Sequence, residues 1–393
     1  MFGGIRLGKV SGIELYADWS VAVIFALVTF GLGGGLFPRW HPDWSPLLSW
    51  TVALAAAIAF FVSILLHELA HALVGRAFGM RIPRITLFVF GGMAHLQGEP
   101  STPKAELLMA AVGPLTSLVL GVGSTIIGSQ LALVSANQAY EAEQIARSAG
   151  PLATLLLWLG PINIILAIFN LVPGFPLDGG RVLRALLWWS TGNLDRATRW
   201  ASGAGRAVGW GLMALGALVA FGFRIPPFGV GLGNGLWLIF IGWFLQNAAR
   251  ASYVELRVKS RLARVPVRDV MRSSLDVVGP YTTLAEVVRD HVMKTDQTSF
   301  PVIDGTNLVG VVSAREVQSV PSDRWAFVIV RDVMTSASDL PAVEVQADAS
   351  RALDALASSD VDQVPVTDGG RLAGFVRRQD IVKWLSLQPD VGV

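Results

Sequence analysis

The residues best able to do chemistry in this chain are His67, Glu68 and His71, in the run His67-Glu68-Leu69-Ala70-His71. On a helix the two histidines lie one turn apart on the same face, with Ser63 a turn above and Gly75 a turn below. That spacing lets both imidazoles reach one zinc ion, with Glu68 beside them as a candidate general base. A short pattern of this kind also arises by chance in soluble chains. Its setting here is different, because residues 50–79 form an apolar run long enough to cross a bilayer. An acid inside such a span costs about 2.5–3.5 kcal/mol on insertion scales. The chain has only 5 histidines, and this motif takes two of them. The expectation is a metal site.

The elements that must position these groups are membrane helices. Of the 393 residues, 52% are apolar and 15% charged, against about 25% charged in ordinary globular proteins. The apolar runs fall in residues 1–250, with spans expected near 19–37, 50–79, 106–129, 151–172, 203–223 and 233–250. Residues 1–18 lack an apolar core, so no cleavable signal peptide is expected. Basic residues gather after the second span (Arg76, Arg81, Arg84), after the fourth (Arg181, Arg184, Arg196) and after the sixth (Arg257, Lys259, Arg261). By the positive-inside rule these loops and both termini are cytosolic, and Trp40, Trp44 and Trp50 mark the outer interface. The net charge of +2 gives no reason to expect nucleic acid as a partner. With no cysteine there is neither disulfide nor thiolate, so any metal must rest on His, Asp or Glu.

This orientation puts His67 and His71 in the cytosolic half of their span, and a third ligand must arrive at that depth. The fourth span runs the same way and ends in NIILAIFNLVPGFPLDGGRVLR (163–184). Asp178 follows two prolines and precedes two glycines, which argues for turned backbone, and an acid just past an apolar run has few other roles than a ligand or a helix N-cap. His95 lies in ITLFVFGGMAHLQ (85–97), read as strand, Gly-Gly turn, strand, and is expected to line the site. Glu106 is read as a first-turn acid favoured by the helix dipole, and His41 and Asp195 as loop residues. The expected set is therefore His67, His71 and Asp178 around one zinc, with the fourth position left for water as in catalytic sites.

HELAH in one apolar helix and FNLVPGFPLDGG at the end of a later one resemble the site-2 protease family of intramembrane zinc metalloproteases. FGGMAHL (90–96) is similar to that family's membrane-embedded hairpin and AVGPLTS (111–117) to its third-helix Gly-Pro segment. The resemblance covers residues 1–250 and implies that His67, His71 and Asp178 bind zinc and that Glu68 is the acid/base. It also implies that Asn170 contacts substrate backbone near the scissile bond. The activity implied is cleavage of transmembrane segments of single-pass proteins. Helical backbone is closed to attack by its own hydrogen bonds, so the hairpin at 85–97 could offer an edge to which an unwound substrate adds as a strand. No PDZ insertion is present.

From Arg264 the chain repeats itself: VPVRDVM…FPVIDG…LVGVVSARE and VIVRDVM…VPVTDG…LAGFVRRQD recur at a period of about 63 residues. These resemble a tandem CBS pair, which implies an adenine-nucleotide site and a route to homodimers. By that resemblance Ser313 and Glu316 of the first copy would contact phosphate and ribose. The second copy keeps Asp380 but has Arg377 where Ser or Thr is usual. The fold class expected is a polytopic α-helical membrane domain of about six transmembrane helices with a small β-hairpin (1–250), then a linker helix (251–263) and two soluble α/β CBS modules (264–321 and 322–388). The function expected is a CBS-regulated intramembrane zinc endopeptidase; a CBS-regulated channel or transporter and a catalytically silent scaffold are the alternatives. A conduction path would want polar groups spread through several spans, whereas here they gather at one depth.

Overall fold

The computed structural model describes the chain apart from residues 1–3, 81, 89–90, 95–99, 136–147, 227, 296, 298, 306, 359–360, 362 and 388–393. Two compact units emerge, Met1–Val254 and Glu255–Val393.

The first unit opens with strands β1 (Ile5–Val10) and β2 (Ile13–Ala17), followed by helix α1 (Ser20–Trp40). Then come α2 (Pro46–Ala77), β3 (Arg84–Phe88), β4 (Gly91–Ala94), α3 (Pro103–Ser135) and α4 (Pro151–Asn170). Helices α5 (Asp178–Thr191), α6 (Leu194–Ala220) and α7 (Leu232–Leu262) complete the series. Local chemistry sets the ends. Ser45 caps α2 by accepting from the Leu48 amide, Pro46 occupies its first turn, and Gly79 at φ 83° follows its last. Gly192 stops α5 in the left-handed region, and Asn193 caps α6 through the Arg196 amide.

Among the described residues five helices, α1, α2, α3, α4 and α6, are long and apolar enough to cross a membrane. The expected sixth span and the segment expected as a linker helix form one continuous helix, α7, because no Gly or Pro interrupts 243–262. The region around Asp178 also differs from expectation. Its backbone is helical rather than turned: Asp178 is the first residue of α5, and Leu177 is the extended cap residue.

The hairpin read at 85–97 is present as β3 and β4 up to Ala94. It belongs to a four-stranded sheet in the order β1-β2-β3-β4, since β2 pairs with β3 in parallel from Glu14↔Arg84 to Ala17↔Leu87. Ser11 and Gly12, both at positive φ, make the tight turn between β1 and β2. Ile13, Leu15 and Ile85 pack with Ala72, Leu65 and Leu69, so the sheet sits on the half of α2 that carries the histidines.

Helix α3 packs against α2, α4 and α5. It meets α4 through small residues, as membrane helices do where backbones approach closely. A Cβ on Gly121 would lie 2.7 Å from Ile164 Cγ1 and 2.9 Å from the Gly160 carbonyl oxygen.

The second unit contains two three-stranded sheets, β5-β6-β7 (Ser299–Asp304, Asn307–Ser313, Thr335–Ser336) and β10-β9-β8 (Arg371–Arg377, Gln363–Asp368, Val343–Glu344). The repeated P-V-x-D-G run gives each module the same antiparallel pair, turned at Gly305 (φ 63°) and at Gly369 (φ 57°). Each sheet has its own apolar core, one around Val302, Val312 and Phe300 and one around Val364, Val366 and Val376.

Gly121→Val should force α3 and α4 apart and cost about 1–3 kcal/mol. Thermal unfolding in detergent checks this: the midpoint should fall for Gly121→Val and hold for Gly123→Val, whose added Cβ meets nothing within 4 Å.

Candidate metal centre

The 3.6-residue period of α2 stacks His67 above His71, and α5 delivers Asp178 to them. His67 Nε2 lies 3.1 Å from His71 Nε2 and 3.1 Å from Asp178 Oδ2, and His71 Nε2 lies 3.2 Å from the same oxygen. Three residues separated by more than a hundred positions thus converge on one point. His67 is buried, and His71 and Asp178 are partly so.

The remaining nitrogens decide what this point can hold. His71 Nδ1 lies 2.6 Å from the Met109 carbonyl oxygen, which can only accept, so Nδ1 carries the proton and Nε2 of the neutral ring a lone pair. His67 Nδ1 lies 2.9 Å from Ser117 Oγ, a hydroxyl that can accept the proton of this nitrogen. With both Nδ1 atoms carrying the proton, two imidazole lone pairs and a carboxylate oxygen face one another, an arrangement suited to a cation. An N2O set of neutral imidazoles and a carboxylate suits zinc, and ligand atoms around tetrahedral zinc are about 3.3 Å apart at bonds of about 2.0–2.1 Å. The residues fit that ion.

Several of the groups that build the centre are not visible in the motif. Gly113 is required, because a Cβ there would overlap the His71 ring. Gly92 of β4 is likewise required by Glu68, whose Cγ occupies the space a Cβ would take. Ser117, fully buried in an apolar helix, is the one of these that its polarity among apolar neighbours could have flagged. Glu106 does stand in the first turn of α3, but it is fully buried and ion-paired with Arg184 rather than left to the helix dipole. The signal for that pair was two opposite charges flanking apolar spans on the same side.

Asn170 ends α4 half-buried, and among the described residues no hydrogen bond ties it to the three converging groups. His95 lies outside the described residues. His41, buried, stacks on Trp44 and meets Thr154 Oγ1 at 2.7 Å, away from the centre. In the second unit Ser313 and Glu316 form a reciprocal cap on the helix Ala314–Gln318, with the Ser313 amide 2.7 Å from Glu316 Oε2. Asp380 receives Arg272 Nε and Arg377 Nε, each at 2.9 Å. Burial alone would raise its carboxyl, but these guanidiniums outweigh that and hold it below the usual carboxylate range.

Residues 55–212 match the model of peptidase family M50, and residues 267–322 and 330–387 each match that of the CBS domain. A Synechocystis protein bearing the name of a zinc metalloprotease is 33% identical over 388 residues, which make up 98% of this chain and 96% of that one. This chain belongs to peptidase family M50, the site-2 proteases. A second M50 relative, named zinc metalloprotease Rip3, of Mycobacterium tuberculosis, is 31% identical across 98% of this chain and 94% of its own. The solved site-2 protease from Methanocaldococcus jannaschii is 26% identical, with a TM-score of 0.41, covering 64% of this chain and 95% of that one. As an M50 member the chain is a multi-pass membrane zinc metalloprotease with a tandem CBS pair. The transporter and silent-scaffold alternatives are set aside. The M50 match takes in His67, Glu68, His71, Asn170 and Asp178.

Gly113→Ala should improve helix propensity by about 1 kcal/mol and still weaken zinc binding, by about 10–100-fold. Metal content after dialysis against a chelator, compared with wild type, measures it.

Proposed function

We propose that this M50 protease cuts transmembrane segments of single-pass membrane proteins, with His67, His71 and Asp178 holding one zinc ion per chain and Glu68 as general acid/base. The observation that carries this reading is the convergence of two imidazole nitrogens and a carboxylate oxygen beside Glu68, at the point where an edge strand meets α2. Zinc bound there would supply a Lewis acid that acidifies water and polarises a peptide carbonyl. Glu68 takes the proton of the attacking water at its carboxylate and returns it to the departing amide nitrogen. β4 is the last strand of its sheet, and its Gly92 lies directly against Glu68. An unwound substrate that adds to β4 as a fifth strand is carried past the acid in extended form. The Asn170 side-chain amide, at the end of α4, donates to substrate backbone near the scissile bond. The charge bias of the loops favours cytosolic termini and CBS modules, with the centre in the cytosolic half of the bilayer.

The CBS pair in this reading gates cleavage by binding an adenine nucleotide, and it offers a surface for homodimers. Support comes from Ser313 and Glu316, adjacent at the helix that opens after β6. Asp380 is the weaker candidate, because a ribose would have to displace two guanidiniums from its carboxylate.

Glu68→Gln should keep one zinc per chain and lower cleavage of single-pass proteins in reconstituted vesicles by about 10²–10⁴-fold. Cleavage at the wild-type rate would remove Glu68 from the reaction. For the CBS pair, ATP should raise the melting temperature of the full chain and alter its cleavage rate. Deleting 264–393 should abolish that response with zinc content intact; a response that survives the deletion would place the nucleotide elsewhere.

A further inference from the structure

Three of the contacts that shape the metal centre come from one face of α3. Met109, Gly113 and Ser117 follow one another at intervals of four residues, which keeps them on one side of the helix. Met109 fixes the His71 ring through its carbonyl, Gly113 makes room for that ring, and Ser117 fixes His67. Asp178 is the ligand that α3 does not touch through a hydrogen bond among the described residues. What α3 holds instead is a later residue of the same helix. Glu106, three residues before Met109 on the same face, accepts at Oε1 from Nε of Arg184, six residues beyond Asp178 in α5, and the same oxygen is ion-paired with its Nη2.

The Arg184 guanidinium carbon also lies 5.4 Å from the ring centre of Phe175, three residues before Asp178. One cation therefore grips the chain on both sides of the ligand and anchors it to α3. Glu106 is 0% exposed, Arg184 4% and Phe175 5%. A buried ion pair is a poor source of stability, since well-packed apolar residues of similar volume often do as well or better. Its rigid, forked geometry is suited to fixing register.

We propose that Glu106 and Arg184 are positioning residues for Asp178: the pair sets the depth at which α5 presents its first carboxylate to His67 and His71. The proposal rests on the reading of these three residues as the zinc ligands. It assigns to α3 the placement of all three, through a carbonyl, a hydroxyl and an ion pair.

The test is zinc affinity of the full chain in detergent, by competition with a chromophoric chelator, read together with thermal unfolding. Arg184→Lys keeps the charge but loses the fork, and it should bind zinc about 10–100-fold more weakly. The double variant Glu106→Leu with Arg184→Leu should melt at or above the wild-type temperature and still bind zinc more weakly. In an Asp178→Ala background, Arg184→Lys should add no further loss, because the residue it positions is gone. Wild-type affinity in Arg184→Lys, or a loss that simply multiplies with that of Asp178→Ala, would overturn the proposal, whether or not the double variant folds. Recovery of full zinc affinity in a folded double variant would do the same. Asp178→Ala separates the two levels. Unchanged affinity in that variant defeats the ligand reading itself, whereas loss there with none in Arg184→Lys defeats only the positioning role.

Discussion

Two imidazole nitrogens and a carboxylate oxygen meet within hydrogen-bond distance of one another, inside a bundle of apolar helices. In water such groups would be solvated separately. Here the fold brings them together, and a cation at their centre would bind all three. For the lone pairs to sit on Nε2, each Nδ1 needs an acceptor, and α3 offers a carbonyl to one and a hydroxyl to the other. The requirement then passes outward. To bring a backbone carbonyl against one ring and a hydroxyl against the other, α3 must lie almost in contact with α2, which is possible because residue 113 is glycine.

The same logic governs the sheet. Glu68 projects toward β4, and the strand can run past it only because Gly92 has no side chain. Ile13, Leu15 and Ile85 glue the sheet to α2, so the edge strand and the acid are held by one rigid body. Among the described residues β4 is the edge strand, because the sheet grows on the other side, through β3 to the N-terminal strands. Placing an extended peptide beside a carboxylate needs that combination of a fixed acid, a close approach and an unpaired edge.

How much of this was legible in the sequence depends on what each part is made of. The motif at His67 and the acid at Asp178 stood out because polar residues are conspicuous against apolar runs, and the loop charges then placed them at a common depth. The Met109 carbonyl left no trace, since every residue has one. Gly113 and Gly92 were two glycines among 41. The four-stranded sheet was missed because β2 and β3 pair across α1 and α2, and local alternation cannot report a partner some seventy residues away. Asp178 looked like a turn residue because Pro176 and the glycines at 179 and 180 surround it. Those glycines are instead needed for packing, since a Cβ on Gly180 would collide with the backbone at Gly174. The last span runs into the linker helix without a break, because a change of polarity does not end a helix that no Gly or Pro interrupts.

The second unit shows how far a repeat fixes structure and where it stops fixing chemistry. The shared P-V-x-D-G run gives both modules the same strand pair and the same glycine turn. One position then separates them electrostatically. Ser313 lets Glu316 fold back onto its own helix start, whereas Arg377 at the equivalent place brings a guanidinium onto Asp380, and Arg272 adds a second. Two cations on one anion hold the second module's acid ionised and engaged, well below the usual carboxylate range once their pull exceeds the effect of burial. A neutral hydroxyl ligand gains little by competing for a carboxylate so occupied. The repeat has thus kept one hairpin in both modules while giving the two acids different partners.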